Sequence, residues 1–178
     1  MKRVCVYGGA RCGARPVYAE AARELARALV ELGLGLVNGG GGVGLMDVMA
    51  NEVLALGGEV TGVIPTFMED RELAHQGLTS LHVVDTMHQR KERMIELSDA
   101  LLAIPGGVGT LDEFYEAVTW RGLGLHDNPC GLLNVEGYFD PQLTFLGRAV
   151  ADGFVDETTV SSLAVASTGA ELLDLLGL

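Results

Sequence analysis

The chain has 178 residues, of which 48% are hydrophobic and 20% are charged, so a single domain spanning residues 1–178 can bury a substantial core. Its 12 Lys and Arg against 24 Asp and Glu give a formal net charge of −12, which disfavours nucleic acid and anionic lipid headgroups as partners. Any affinity for phosphate must therefore come from a local arrangement of donors.

Neither the cysteines nor the N-terminus predicts a secreted or membrane-bound protein. Cys5, Cys12 and Cys130 have no CxxC spacing, so they predict no disulfide framework and no zinc cluster. The 4 histidines are also scattered, and we expect no metal site. The N-terminus passes directly into strand-like residues 4–7, and no apolar run approaches membrane-spanning length. We therefore expect a cytoplasmic protein.

Short apolar runs alternate along the chain with longer segments of helical period. This alternation is typical of an α/β fold with a doubly wound parallel sheet and helices on both of its faces. About seven strands are predicted, at residues 3–7, 34–38, 59–64, 81–84, 100–104, 130–134 and 163–166. The predicted helices are one from Pro16 to just before Gly33, and others at residues 45–56, 87–97, 111–123, 142–151 and 170–176.

Three glycine-rich turns, at residues 8–13, 39–44 and 106–109, follow predicted strands. In open parallel sheets ligands bind beyond the carboxyl ends of the strands, so these three turns could converge on one site. Candidates for contacts with a phosphate or ribose are Gly8, Gly9, Gly40, Gly41 and Gly42. The charged, aperiodic segment 65–79 also follows a strand, and it is either a flap over this site or a surface loop.

The turn at residues 106–109 joins an apolar strand directly to a helix. Glycines allow close approach of a ligand, and the first amides of a helix are unpaired donors at the positive end of its dipole. This arrangement favours the binding of a phosphate group. Glu113 lies about one turn into that helix. An acid beside a phosphate site indicates chemistry on a phosphorylated small molecule.

The same segment can also be interpreted as a capping box. In that interpretation Thr110 caps the helix and Glu113 reaches back to the cap amide, so both residues are purely structural. Their position at the carboxyl end of a strand, behind three glycines, favours function.

The turn at residues 39–44 contains a formal GxGxxG pattern, which is weak support for a dinucleotide site. It follows the second strand, and Glu59 is closer than the ribose-binding acid of that motif. A nucleoside-triphosphatase P-loop is excluded because neither Lys2 nor Lys91 follows such a turn. We expect no cofactor.

Arg90 falls on the apolar face of its predicted helix, in register with Met87, Met94 and Leu97. It can form an ion pair at the helix edge, or extend its aliphatic stem from the core with the charge in water. Alternatively, it faces a pocket and requires an anionic partner, such as a substrate phosphate or Glu113.

Two motifs together resemble the LOG ("Lonely guy") family, the cytokinin riboside 5'-monophosphate phosphoribohydrolases. Residues 105–113 match PGGxGTxxE, and the Met-His-Gln-Arg-Lys sequence at 87–91 precedes them at the family's spacing. The likeness extends through residues 39–47 and 120–138, and so covers nearly the whole chain. It implies a Rossmann-like fold, a homodimer, and hydrolysis of the N-glycosidic bond of an adenine-type nucleoside 5'-monophosphate to free base and ribose 5-phosphate.

The resemblance also implies roles for particular residues. Arg90 and Glu113 match the catalytic pair of the family. The positions that match its substrate-binding residues are Glu72, Lys91, Gly106, Gly107, Val108, Gly109, Thr110, Leu111, Asp112 and Thr119. Residues 7–11 lack the serine that is common in plant members, which leaves open whether AMP or a prenylated adenosine monophosphate is preferred.

Three other interpretations compete with hydrolysis. A non-catalytic carrier of a nucleotide or of molybdenum cofactor shares the fold and a similar glycine turn, but Arg90 together with Glu113 argues against it. A DNA-binding relative of the fold is disfavoured by the charge of −12. A lysine decarboxylase label attached to some relatives is not supported, because Lys91 belongs to the arginine motif.

Overall fold

The computed structural model describes residues 1–68 and 74–178, and its centre is one sheet of parallel strands. The strands are β1 (Arg3–Tyr7), β2 (Gly35–Asn38), β3 (Val60–Pro65), β4 (Ser80–Val84), β5 (Ala100–Ala103), β6 (Cys130–Leu133) and β7 (Ala164–Ala166). Their order across the sheet is β4-β3-β2-β1-β5-β6-β7. This confirms the predicted doubly wound parallel sheet, and each predicted strand agrees with the structure to within one residue at either end.

The described helices lie on both faces of the sheet. They are α1 (Pro16–Glu31), α2 (Gly44–Ala55), α3 (Met87–Glu96), α4 (Val108–Gly122), α5 (Asp140–Ala151), α6 (Glu157–Ser161) and α7 (Gly169–Leu175), with a 3-10 turn at Val135–Gly137. The sequence did not predict α6, because this helix has five residues and none of them is buried, so no apolar stripe marks it. Among the described residues, no helix is both long and apolar enough to cross a membrane.

The side chains of each central strand alternate between two apolar clusters. In β1, Val4 and Val6 pack against α1, α2 and α7, whereas Cys5 and Tyr7 pack against α3 and α4. β1 pairs with β2 on one side and with β5 on the other. The loops after β1 and β5 therefore diverge at the point where the winding of the sheet reverses, which is where open α/β sheets form a binding crevice.

The start of α3 is fixed by its own sequence. The Thr86 hydroxyl accepts a hydrogen bond from the Gln89 amide at 3.2 Å, and the Gln89 side chain accepts one from the Asp85 amide at 2.8 Å. This reciprocal arrangement resembles a capping box and satisfies amides that the helix leaves unpaired. It places Arg90 one residue later, where the helix passes the carboxyl ends of the strands.

Candidate active site

A cavity of about 520 Å³ opens between the loops that follow β1 and β5. It is lined by Gly8, Gly9, Ala10, Arg11, Cys12, Gly13, Tyr18, Leu45, Met46, Met68, Met87, Arg90, Pro105, Gly106, Gly107, Gly109, Thr110, Asp112, Glu113 and Tyr138. Glycine backbone and the start of α4 form one part of this wall, and methionine and tyrosine side chains form another. The cavity therefore presents both backbone donors and apolar surface.

The helix α4 begins at Val108, three residues earlier than predicted, with Gly107 as its N-cap. The capping-box interpretation of Thr110 and Glu113 is therefore wrong, because Thr110 is already inside the helix and buried. The amides of residues 108–110 have no carbonyl one turn earlier in the helix to pair with. Since Gly107, Gly109 and Thr110 line the cavity, this helix start presents to it the kind of donors that favour an anion.

Arg90 of α3 and Glu113 of α4 meet in the same cavity. The Arg90 Nη1 atom lies 3.2 Å from Glu113 Oε1, and both side chains are at least nine-tenths buried. The rest of the guanidinium is held by backbone, since Nε donates to the Val63 carbonyl and Nη2 to the Gly39 carbonyl, each at 3.1 Å. Arg90 therefore faces the pocket, as one of the sequence interpretations held, and its anionic partner is Glu113.

The carboxyl group of Glu113 has a perturbed pKa. Burial raises this pKa because the charged form loses hydration, and the positive charge of Arg90 opposes the rise. A carboxylate with little water around it and a fixed guanidinium beside it can stabilise positive charge that develops on a bound ligand.

Lys91 is occupied by carboxylates of α4. Its ammonium contacts Asp112 at 3.2 Å and also Glu116, and its side chain is 8% exposed. Burial lowers its pKa, but the hydrogen bonds that the ammonium donates to the two carboxylates, together with their negative charges, outweigh burial and raise the pKa overall. A lysine that forms a Schiff base needs a lowered pKa, so this environment argues against that chemistry.

The structure gathers only some of the predicted substrate-binding residues around the cavity. Gly106, Gly107, Gly109, Thr110 and Asp112 line it, as do Gly8 and Gly9. Other predicted residues of the described chain are absent from its wall, namely Lys91, Val108, Leu111, Thr119, Gly40, Gly41 and Gly42. Thr119 is exposed, and its hydroxyl donates to the Tyr115 carbonyl at 2.7 Å. Glu72 lies outside the described residues.

The turn at residues 39–44 is packed against protein. A side chain on Gly39 would overlap the Arg90 guanidinium, and one on Gly44 would overlap the backbone of residues 9–11. Gly41 forms an antiparallel bridge with Ala74, and the Gly40 carbonyl accepts from the His75 amide at 3.0 Å. This turn therefore packs against Arg90 and against the chain that follows β3, and none of its residues lines the cavity.

The side chains that form the apolar and aromatic wall of the cavity were not predicted from the sequence. Tyr18 comes from α1, Met46 from α2, Met87 from α3, and Tyr138 from the loop after β6. Tyr138 could have been found, because it follows a predicted strand at the edge of the sheet where ligands bind. Among the described residues, no His, Cys, Asp and Glu side chains group into a metal-ligand set.

Comparison with known proteins gives matches along almost the whole chain. Residues 46–176 match a family model described as "Possible lysine decarboxylase". The chain is 43% identical over 172 residues to the rice (Oryza sativa subsp. japonica) protein named cytokinin riboside 5'-monophosphate phosphoribohydrolase LOG, covering 97% of this chain and 71% of that protein. It is 48% identical over 165 residues to a Rhodococcoides fascians protein named cytokinin riboside 5'-monophosphate phosphoribohydrolase. That match covers 92% of this chain and 83% of that protein.

A solved structure shares the fold. The molybdenum cofactor binding protein of Rippkaea orientalis superimposes with a TM-score of 0.75, covering 99% of this chain and 95% of that one. The two sequences are 20% identical, so the likeness concerns the backbone architecture alone.

Proposed function

We propose, since the chain belongs to the LOG family of phosphoribohydrolases, that it hydrolyses the N-glycosidic bond of adenine-type nucleoside 5'-monophosphates. Its substrates are cytokinin riboside 5'-monophosphates or AMP, and its products are the free base and ribose 5-phosphate. The observation that carries this proposal is the buried pair of Arg90 and Glu113 in the same cavity as the start of α4.

In the proposed mechanism the start of α4 binds the phosphate, and the pair of Arg90 and Glu113 carries out the chemistry. The 5'-phosphate lies against the amides at the start of α4, where the helix dipole favours an anion. Cleavage of a glycosidic bond passes through a sugar with oxocarbenium character, so the Glu113 carboxylate near the ribose stabilises the developing positive charge and orients the attacking water. Arg90 fixes the orientation of that carboxylate and of the nucleotide.

The ionised form of Glu113 is the active one in this mechanism. Burial raises its pKa, so the carboxylate is lost at a higher pH than for an exposed glutamate. The positive charge of Arg90 limits this rise in the pKa and so favours the ionised form. The ion pair therefore maintains the charge that catalysis needs in a site with little water.

The proposed enzyme is a cytoplasmic homodimer. Apolar side chains are exposed at both ends of α4, with Val108 85% and Leu123 69% exposed, which supports a subunit contact there. The three free cysteines fit a reducing compartment. Light scattering of the purified protein measures the assembly.

A panel of nucleosides and their 5'-monophosphates tests the reaction, with bases and ribosides separated by chromatography. We expect release of base from adenine-type monophosphates and little from nucleosides that lack the phosphate. Equal cleavage of both groups contradicts the phosphate site, and binding without turnover supports a carrier. Relative rates with AMP and isopentenyladenosine monophosphate measure the base preference.

Replacing the acid tests its role directly. We expect Glu113→Gln to lower kcat by about 10³-fold while the nucleotide still binds, because the amide keeps the shape but not the charge. Glu157→Gln, which neutralises an exposed carboxylate on α6, is the matched control and retains full activity. Unchanged kcat in Glu113→Gln excludes the proposed mechanism.

A further inference from the structure

The loop after β6 contains backbone strain next to the cavity. Glu136 has φ 47° and ψ 38°, in the left-handed region that side-chain-bearing residues rarely adopt, and it is the one such non-glycine residue in the described chain. Gly137 follows with φ 74°. Two consecutive left-handed residues turn the chain sharply, so that Tyr138 points back toward the loop after β5. Strain of this kind persists only where surrounding contacts hold it.

Several contacts hold this loop in place. The Arg15 side chain pairs with Glu136 and lies over the Tyr18 ring, 5.6 Å from its centroid. Tyr18 meets Tyr138 edge to face at 5.5 Å, and Tyr138 meets Phe139 in the same way at 5.1 Å. Residues of α1 and its N-cap, together with the neighbouring aromatic rings, therefore stabilise the strained turn.

The Tyr138 hydroxyl reaches the glycine turn itself, donating a hydrogen bond to the Gly106 carbonyl at 2.5 Å. A peptide between two glycines has no Cβ to bias its orientation, so it can rotate between two settings more easily than most. In a trans peptide the carbonyl and the next amide point in opposite directions. Fixing the Gly106 carbonyl therefore also fixes the Gly107 N–H, which makes no hydrogen bond to the described residues.

We propose that Tyr138 is a positioning residue for the 5'-phosphate, acting through the Gly106–Gly107 peptide. This inference rests on the proposed function, because it assumes that the phosphate lies at the start of α4. With the Gly106 carbonyl turned toward Tyr138, the Gly107 amide joins the first amides of α4 as donors to one anion. Without the hydroxyl, the peptide can turn its carbonyl toward the anion and repel it.

Tyr138→Phe tests this role, because it keeps the ring and its stacking but removes the hydroxyl. Binding of ribose 5-phosphate and of adenine is measured separately by calorimetry. We expect the Kd for ribose 5-phosphate to rise about tenfold, while that for adenine stays within about twofold. Tyr115→Phe, on α4 away from the cavity wall, is the control and changes neither value. Equal weakening of both ligands, or of neither, overturns the inference.

Glu136→Gln provides a second test with opposite expectations. Removal of a negative charge near the site should by electrostatics alone strengthen the binding of a phosphate. If the ion pair between Arg15 and Glu136 helps to position Tyr138, its loss instead weakens ribose 5-phosphate binding about threefold. Stronger or unchanged binding therefore contradicts the inference. Calorimetry does not depend on turnover, so failure of the wild-type protein to cleave nucleotides would count against the proposed function alone.

Discussion

Two glycine turns at the same edge of the sheet have different surroundings. The β5 turn (residues 106–109) borders the cavity, and a Cβ on Gly107 or Gly109 would meet no atom within 4 Å. The β2 turn (residues 39–44) is filled by the Arg90 guanidinium and by the backbone of the β1 loop. Glycine at the end of a strand thus signals the close approach of another group, and the fold decides whether that group is a ligand or protein.

The same difference extends to the helices that follow the two turns. One amide at the start of α2 is not free for a ligand, because the N–H of Leu45, the second residue of the helix, donates to the Gly9 carbonyl at 2.9 Å. At the α4 start, Gly107, Gly109 and Thr110 line the cavity. Of these two helix N-termini behind glycines, the second is the one at which we propose that an anion binds, whereas the first packs against the loop after β1.

The largest effect is expected from Gly39→Ala, in the turn that does not line the cavity. The added methyl would displace the Arg90 guanidinium from its pair with Glu113. We expect kcat/KM to fall by about 10²- to 10³-fold, with a loss of about 1–3 kcal/mol in the free energy of unfolding. Steady-state kinetics and denaturant unfolding measure the two effects. Activity near that of the wild type would mean that Arg90 needs no fixed position.

Gly107→Ala should show the reverse behaviour, with binding affected and folding preserved. The methyl enters open space at the cavity wall, so the free energy of unfolding should change by no more than about 0.5 kcal/mol. We expect KM for the nucleotide to rise about tenfold because the methyl keeps the phosphate from the amides. Gly122→Ala, at the far end of α4 and also without a close neighbour, is the control with unchanged KM. Strong destabilisation by Gly107→Ala would contradict the conclusion that the β5 turn, unlike the β2 turn, borders open space.

Lys91 pairs with carboxylates of α4, the helix that follows the β5 turn. Lys91→Met should therefore change the pH dependence of the reaction. The carboxylate of Glu113 is the active form, so activity is present above its pKa and lost as the pH falls through it. Lys91 lowers this pKa, whereas Asp112 and Glu116 raise it. Removing the ammonium therefore raises the pKa of Glu113 further and shifts the acidic limb of kcat/KM to higher pH.

Lys91→Arg is the control for that shift, because it keeps the positive charge between the same two carboxylates. Its acidic limb should coincide with that of the wild-type protein. If Lys91→Met lowers activity equally at every pH, the lysine acts only by holding α3 and α4 together.

The smallest effect is expected from His75→Ala, beside the β2 turn. The His75 ring hydrogen-bonds to the Asn51 side chain at 3.1 Å and accepts from the Gly77 amide at 3.1 Å. We expect a loss of about 1 kcal/mol in the free energy of unfolding, measured in denaturant, and no change in KM. A large change in KM would place the β2 turn in the substrate site after all.

The sheet could be predicted because it follows from local periodicity, and the contact between Arg90 and Glu113 was one of several alternatives that the sequence left open. Short, apolar runs bounded by turn residues, such as residues 100–104, are typical of buried strands in a parallel sheet. Helical spacing placed Arg90 on an apolar face, and Glu113 at a strand's carboxyl end was the acid within reach of such a face.

The remaining features depend on contacts that the sequence does not display. Thr110 matches a capping box in sequence, but the glycines before it let the helix begin a turn earlier and the hydroxyl becomes buried. The glycines of the β2 turn match a nucleotide motif, yet the group that fills their space comes from α3, distant in sequence. Tyr138 reaches the cavity through a left-handed residue, Glu136, which no propensity scale assigns to glutamate.

The neutrality of the Arg90–Glu113 pair affects how a nucleotide arrives from solution. This guanidinium exerts little attraction beyond the cavity, while the net charge of −12 repels dianions at long range. Dissolved electrolyte screens that repulsion but barely weakens hydrogen bonds to peptide amides at contact. Association with a nucleotide should therefore become faster as ionic strength rises, opposite to proteins that steer phosphates with exposed lysines and arginines.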